Sequence, residues 1–135
     1  MKLSSKTHYG LIACDILAKS YSEKTVSASE LEAQMHVSGK YLEQIMRKLS
    51  KQGIVKATRG ANGGYFLAKD PDFISIGEVV RTLEDEMHLV ECVKKEGKCK
   101  CCSSSMVWKK LYNNINNLLD SISLKQMANG DIDNE

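Results

Sequence analysis

The amino-acid sequence predicts a mainly α-helical protein with one small β-hairpin, and three patterns in its 135 residues support that fold class. Apolar residues recur at helical spacing through most of residues 4–51. Two short runs rich in β-branched and aromatic residues then flank a glycine-rich stretch. Near the C-terminus, apolar residues repeat every three and four positions, as they do along a helix that pairs with another helix. The hydrophobic content, 42%, is ordinary for a globular protein.

Three helices are expected in the N-terminal half of the chain. Residues 4–19 carry apolar side chains at helical spacing. Ser27 begins a capping-box pattern that opens a short helix over about 28–35. Ser38 is a good N-cap for a longer helix with one apolar face, and Gly53 fits the left-handed position that ends it. Two helices of about 8 and 14 residues, joined by a tight turn, indicate a helix-turn-helix.

A change of hydrophobic period marks the next segment. Residues 54–58 and 65–68 are predicted strands, and residues 59–64 between them contain the Gly and Asn that loop-type hairpins use. A helix-turn-helix followed directly by a β-hairpin is the arrangement called a winged helix. Pro71 ends the second strand, and Ser75 starts another capping-box pattern before a short helix.

The C-terminal apolar repeat predicts a helix over 104–122 that pairs with a second copy of the chain. Its apolar residues lie three and four positions apart, which makes a heptad seam over about two repeats. These seam residues are Trp108, Leu111, Ile115, Leu118 and Ile122. Packing of this face against the rest of its own chain is the alternative. Residues 123–135 are polar and acidic and are expected to form a flexible tail.

Charge is distributed unevenly, although the formal net charge is only +2. Residues 1–69 contain eleven Lys and Arg against five Asp and Glu, whereas residues 70–135 contain eight against twelve. The first part is therefore positive by six charges and the second part negative by four. A basic part joined to an acidic part indicates that only the first contacts a polyanion.

The exposed face of the second helix of the pair carries side chains suited to double-stranded DNA. Lys, Arg and Ser bind phosphate oxygens, while Gln and Glu read base edges in the major groove. The candidate DNA-binding residues on this helix are Ser38, Lys40, Tyr41, Glu43, Gln44, Arg47 and Lys48. Arg59 and Asn62 in the hairpin loop complete the set, because an Arg among small residues can enter a narrow minor groove. A solvated charged helix is the alternative.

Four cysteines fall within eleven residues: Cys92, Cys99, Cys101 and Cys102. The N-terminus lacks the apolar core and cleavage site of a secretory signal, so the expected location is the reducing cytoplasm. Metal ligation or redox sensing is favoured there over structural disulfides. The spacing lacks the two cysteine pairs that structural zinc sites usually show, yet an iron–sulfur cluster, zinc and a thiol switch all remain open. Cys14, in an apolar helical stretch, is expected to be a buried small hydrophobic residue.

The sequence resembles the winged-helix iron–sulfur transcriptional regulators of the IscR and NsrR type over about residues 1–122. The matching segments are the opening MKLSSKTHYGL, residues 41–44 (YLEQ), residues 59–65 (RGANGGY), residues 76–80 (IGEVV), and the cysteines followed by Trp108. The resemblance implies a homodimer that represses or activates transcription and senses cluster status, redox state or nitric oxide. A cluster would be held by the cysteines of each chain.

The resemblance implies three cysteine ligands, and Cys92, Cys99 and Cys102 match them. Only two residues separate Cys99 from Cys102, where the family usually has about five, so Cys101 competes for a place and a two-iron or four-iron cluster stays undecided. In this family the fourth ligand can come from the N-terminal helix of the other subunit, where this chain has His8. Relatives without a cluster sense sulfur metabolism, which keeps a cluster-free or zinc-based regulator as the alternative.

The sequence also indicates which functions and partners to expect. No Ser-His-Asp arrangement or phosphate-binding loop is visible in the sequence, so an enzyme is not expected. No apolar run approaches the roughly 20 residues of a membrane span, and no membrane partner is expected. A two-fold dimer implies a palindromic operator.

These predictions divide the chain into four parts. They are a winged-helix DNA-binding domain at 1–83, a cysteine-rich sensor loop at 84–103, a dimerisation helix at 104–122 and the flexible tail at 123–135.

Overall fold

A computed structural model of the chain describes residues 2–87, 89 and 103–133. Within these residues the fold is mostly helical with one antiparallel hairpin, which confirms the predicted fold class. The helices are α1 (Ser5–Lys19), α2 (Ala28–Met35), α3 (Gly39–Lys51), α4 (Ile76–Leu83), α5 (Ser103–Ser121) and α6 (Leu124–Asn129). The strands are β1 (Val55–Thr58) and β2 (Gly64–Leu67), and a short 3₁₀ helix (Pro71–Phe73) precedes α4. None of the described helices is long and apolar enough to cross a membrane.

Side-chain caps fix the helix-turn-helix that α2 and α3 form. The Ser27 hydroxyl accepts the Glu30 N–H at 3.1 Å, and the Ser38 hydroxyl accepts the Tyr41 N–H at 3.1 Å. Each hydroxyl satisfies a backbone donor that the first turn of a helix leaves unpaired. Between the helices, His36 adopts the left-handed conformation with a φ of 56°, which turns the chain from α2 towards α3. Both helices therefore begin directly after the capping residues that the sequence indicates.

The hairpin of β1 and β2, which is the wing, is attached to the segment that leads into α2. The two strands pair with Val55 opposite Leu67. Tyr65 of β2 also exchanges two backbone hydrogen bonds with Val26, at 2.9 and 2.8 Å. A Cβ atom on Gly64 would collide with the Val26 backbone, so glycine is needed for this close approach. The wing is consequently held on the side of the helix-turn-helix rather than projecting freely.

Buried residues of these elements form a hydrophobic core in the part of the chain that the structure describes. Its larger buried residues are Leu17, Val26, Leu31, Met35, Leu42, Ile45, Met46, Leu49, Ile54, Val55, Leu67, Ile74, Ile76, Val79, Val80, Leu83 and Leu124. Cys14 is fully buried in the same core, as predicted. Burial, with a smaller contribution from the charge of Asp15, raises the pKa of the Cys14 thiol to about 12. Because thiolates and not thiols react, Cys14 is inert at neutral pH.

The long helix α5 contacts α4 through polar side chains. The Arg81 guanidinium donates to the Asn116 side chain at 3.1 Å and forms an ion pair with the Asp120 carboxylate. Leu119, on the same side of α5, is partly buried against the core. These contacts fix which side of α5 faces its own chain.

The C-terminal segment forms a helix, so the prediction of a flexible tail over 123–135 is wrong for Leu124–Asn129. The Leu124 side chain is fully buried, and its N–H donates to the Ile74 carbonyl at 2.8 Å. A reciprocal capping box at Ser123 starts the helix. The prediction failed because it used the polar and acidic composition of this segment. The burial of Leu124 depends on partners such as Ile74, which lie far earlier in the chain and leave no local pattern.

Candidate nucleic-acid interface and cysteine segment

The structure brings most of the predicted DNA-binding side chains to one exposed face of α3. Four apolar residues of this helix fill the core, which directs the side chains between them outward. The outward set consists of Ser38, Lys40, Glu43, Gln44 and Arg47, which are exposed, and Lys48, which is half-buried. A helix with one buried face and one polar face has the shape and the hydrogen-bonding groups to enter a DNA major groove.

Two of the basic side chains in this set have ionic partners in the described structure. Arg47 pairs with Glu43 one turn earlier at 2.7 Å, and both groups are largely exposed. Lys48 lies 3.3 Å from the carboxylate of Asp85, which is 91% exposed. Exposed ion pairs contribute only about 0–1 kcal/mol, so a phosphate group can replace either carboxylate as the partner of the basic side chain.

Tyr41 differs from the rest of the predicted set because its ring packs against α1. The ring is half-buried, and its centroid lies 5.9 Å from that of Tyr9 with the two planes nearly perpendicular. Edge-to-face packing of this kind is a favourable arrangement for two aromatic rings. Tyr41 therefore joins α3 to α1.

The tip of the wing presents Arg59 and Asn62, both of which are exposed. Gly60 beside them has a φ of 109°, a conformation that side chains other than glycine rarely adopt. The Thr25 hydroxyl donates to the Asn62 carbonyl at 3.0 Å and so ties the tip to the body of the domain. Backbone geometry thus holds the loop while leaving the Arg59 side chain available for a minor groove.

The predicted seam on α5 is divided between two environments. Leu118 is 60% exposed and Leu111 is 43% exposed, on the side of the helix away from α4. Trp108 and Ile115 are half-buried, whereas Ile122, at the end of the repeat, packs against the core of its own chain. An apolar face around Leu111 and Leu118 therefore remains uncovered in the described part of the chain.

The cysteine segment, residues 92–102, lies outside the described residues, and with it Cys92, Cys99, Cys101 and Cys102. His8 is described: it is exposed on α1, with its ring centroid 5.4 Å from that of Tyr9. Over residues 2–87, 89 and 103–133, no three His, Cys, Asp or Glu side chains come together to hold a metal ion. The fit to a metal therefore depends on donor chemistry, and four closely spaced thiols suit both iron–sulfur clusters and zinc.

One contact that the sequence does not reveal joins the end of α4 to the start of α1. The Glu84 carboxylate accepts the Ser4 N–H at 2.6 Å and the Thr7 hydroxyl at 2.7 Å. These partners are separated along the chain by 80 and 77 positions. No periodicity or local motif signals a hydrogen bond between residues so far apart in sequence.

Comparisons with known proteins agree with this geometry. The family model described as "Rrf2: Iron-dependent Transcriptional regulator" matches residues 3–130. The HTH-type transcriptional regulator CymR of Bacillus subtilis is 35% identical over 128 residues, which cover 95% of this chain and 90% of the relative. The HTH-type transcriptional regulator IscR of Aliivibrio salmonicida is 35% identical over 138 residues, which cover 100% of this chain and 80% of the relative. A solved structure of CymR, described as the global cysteine regulator of B. subtilis, has a TM-score of 0.82 at 33% identity, over 96% of this chain and 98% of that one.

Proposed function

The chain belongs to the Rrf2 family of transcriptional regulators, and from that premise we propose that it is a homodimeric DNA-binding regulator whose cysteine segment carries an iron–sulfur cluster. Its similar relatives are named transcriptional regulators, so the chain is a regulator and not an enzyme. One observation carries the cluster proposal: four cysteines fall within eleven residues of a chain that a model for iron-dependent regulators matches almost throughout.

The proposed ligands are Cys92, Cys99 and Cys102, with Cys101 as a competing thiol. His8 is the proposed fourth ligand, reaching the cysteine segment of the other subunit. Its exposure on α1 supports this role, because an imidazole at the surface is accessible to a second chain. When bound, a two-iron or four-iron cluster would supply a centre that changes redox state and that oxidants or nitric oxide can damage.

DNA would be read by α3 in the major groove and by the wing tip in the adjacent minor groove. Lys40 and Arg47 suit phosphate oxygens, while Gln44 suits a base edge. Arg59 suits the concentrated negative potential of a narrow minor groove. The exposure of all four side chains supports this assignment.

A second copy of the chain is the proposed partner of the apolar face on α5. Uncovered apolar side chains in a row, such as Leu111 and Leu118, mark interaction sites on folded proteins. A two-fold contact between two α5 helices would cover the same face on both chains. Two recognition helices related by that axis would read a palindromic operator.

The position of the cysteine segment supports a role in control. Residues 92–102 lie in the chain between α4, which belongs to the winged helix, and α5, which carries the proposed dimer face. A change in ligation there would alter the constraint on both neighbouring helices. Two populations of the dimer with different spacing of the recognition helices would then differ in DNA affinity.

A second candidate is a cluster-free regulator of cysteine metabolism. The observation in its favour is the similarity to CymR, in sequence and in structure. In this case the cysteine segment would act through free thiols or through zinc.

Anaerobic purification followed by iron, sulfide and zinc analysis and an optical spectrum separates the two candidates. We expect iron, acid-labile sulfide and a visible charge-transfer band, all of which Cys92→Ala should remove. Cys14→Ala is the matched control, because Cys14 is buried in the core and should not be a ligand. A colourless protein with stoichiometric zinc, or with no metal, would contradict the cluster and favour the second candidate.

A further inference from the structure

The carboxylate of Glu84 occupies a junction between three parts of the molecule. Glu84 directly follows α4 and lies eight residues before Cys92. One of its oxygens, Oε1, accepts both the Ser4 N–H at 2.6 Å and the Thr7 hydroxyl at 2.7 Å. Thr7 is only 1% exposed, so this carboxylate satisfies a hydroxyl that water does not reach. The contact therefore orders the first turn of α1 and the end of α4 together.

The charge of Glu84 suits this position. Burial by itself would raise the pKa of Glu84, but hydrogen bonds from Thr7 and Ser4 outweigh it and lower the pKa below the ordinary glutamate value. Ser4 is also the N-cap of α1, and its hydroxyl accepts the Thr7 N–H at 3.4 Å. A negative charge at the N-terminal end of a helix is favoured by the helix dipole. Glu84 is therefore ionised at neutral pH and bound where α1 begins.

The residues on either side of Glu84 also contact other helices. A Cβ atom on Gly10 of α1 would collide with the Leu83 side chain, so α1 and α4 are in close contact here. Asp85 pairs with Lys48 of the recognition helix at 3.3 Å. Leu83, Glu84 and Asp85, named here the α4 joint, thus touch α1 and α3 through three consecutive positions.

A path of contacts leads from the α4 joint to the DNA-reading helix. Thr7, which the joint holds, is two residues from Tyr9 on α1. The Tyr9 ring packs edge-to-face on Tyr41 of α3. A shift of α1 relative to α4 would therefore change how Tyr9 packs on Tyr41 of the recognition helix.

We propose that Glu84 is a positioning residue that couples the state of the cysteine segment to the recognition helix, an inference that rests on the proposed function. The α4 joint lies where the winged helix ends, and the cysteine segment begins seven residues after Asp85. Rearrangement of that segment would move the joint, and the two hydrogen bonds from Glu84 would carry the movement into α1. Coupling of this kind needs an element with two arrangements that both sites bias, and in this proposal the contact between α1 and α4 would be that element.

The test compares DNA affinity in two states of the full-length chain. One state is the anaerobically purified protein, and the other is the same preparation after chelation and alkylation with iodoacetamide. The probe is a duplex that the wild-type protein selects from a random pool, followed by fluorescence anisotropy. We expect the wild-type affinities to differ by at least about fivefold, the low end of typical coupling between sites.

Glu84→Ala should reduce the ratio of the two affinities to less than about twofold, which is below the coupling typical of linked sites. Glu78→Ala is the matched control, because Glu78 also lies on α4 but forms its ion pair with Lys69, at 3.8 Å, and not with α1. It should keep the wild-type ratio. A ratio in Glu84→Ala equal to the wild-type value would overturn the proposal.

A second variant and a second readout keep the test decisive even if Glu84→Ala misfolds. If Glu84→Ala does not fold, Thr7→Val removes the donor from the other side and should give the same loss, while Thr7→Ser should retain the coupling. Hydrogen exchange of the peptide that begins α1 should differ between the two states in the wild type and be equal in Glu84→Ala. Equal affinities of the wild type in the two states would contradict the proposed function itself. If the wild-type affinities differ and folded Glu84→Ala, or Thr7→Val in its place, keeps the same ratio, only this inference is overturned.

Discussion

Replacing Leu118 by aspartate should break the proposed dimer, and the exposure of this residue sets the size of the effect. Leu118 is 60% exposed on α5. Burying a whole leucine side chain contributes about 1.5–3 kcal/mol, so burying the exposed part contributes roughly 1–2 kcal/mol. A two-fold contact includes both copies, which gives about 2–4 kcal/mol and a roughly 30- to 1000-fold weaker dimer in the variant. Repulsion between two nearby aspartates would add to this loss.

Sedimentation equilibrium of the full chain measures the dimer dissociation constant directly. Asn113→Asp is the matched control, since Asn113 is exposed on α5 and lies about 140° around the helix from Leu118. It adds the same charge outside the apolar face and should leave the dimer intact. If Leu118→Asp dissociates no more readily than Asn113→Asp, the apolar face of α5 is not the dimer interface.

Four further predictions address the fold, the buried cysteine, the wing and the α4 joint. Leu124→Ala should lower the free energy of unfolding in urea by about 2–5 kcal/mol, whereas a loose C-terminal tail would give no change. Iodoacetamide should leave Cys14 unlabelled in the metal-free native chain, as mass spectrometry would show, and early labelling of Cys14 would contradict its burial. Arg59→Ala should weaken DNA binding by about 1 kcal/mol or more, while Lys69→Ala, away from the wing tip, should not. Because the pKa of Glu84 is lowered from 4.5, its stabilising effect should be present above pH 4.5 and be lost as the pH falls through the folded-state pKa. The difference in unfolding free energy between wild type and Glu84→Ala should therefore shrink in acid, and a constant difference would count against it.

Elements specified by local patterns could be predicted from the sequence. Ser27 and Ser38 cap the helices that they were expected to cap, because a hydroxyl at that position bonds to backbone only two or three residues away. Gly53 has the left-handed conformation expected of a residue that ends a helix. The amphipathic pattern of α3 likewise indicated which side chains face outward.

Features that depend on distant residues could not be predicted in the same way. The helix at Leu124–Asn129 is stabilised by burial of one leucine and by pairing with residue 74, neither of which shows in local composition. Tyr41 was expected to face DNA, yet its ring packs on Tyr9 of another helix. The contact of Glu84 with α1 also joins residues that only the tertiary fold brings together.

The candidate site also combines features that local sequence patterns predict with features that depend on distant residues. The predicted DNA-binding side chains lie on elements with strong local signals, and the structure leaves all of them exposed except the half-buried Tyr41 and Lys48. For the cysteine segment, sequence supplies the donor atoms but the ligand set depends on how residues 92–102 and His8 meet. Both the iron–sulfur proposal and its cluster-free alternative therefore rest on chemistry that metal analysis can decide.

In the proposed function, the state of the cysteine segment controls DNA binding by α3 and the wing. The most direct measurement is the affinity of one anaerobic wild-type preparation for its selected duplex, before and after removal of the metal and alkylation of the thiols. We predict affinities that differ by at least about fivefold, as coupled sites typically show. Cys92→Ala should display a single affinity, that of the treated form. Equal wild-type affinities in the two states would contradict the claim.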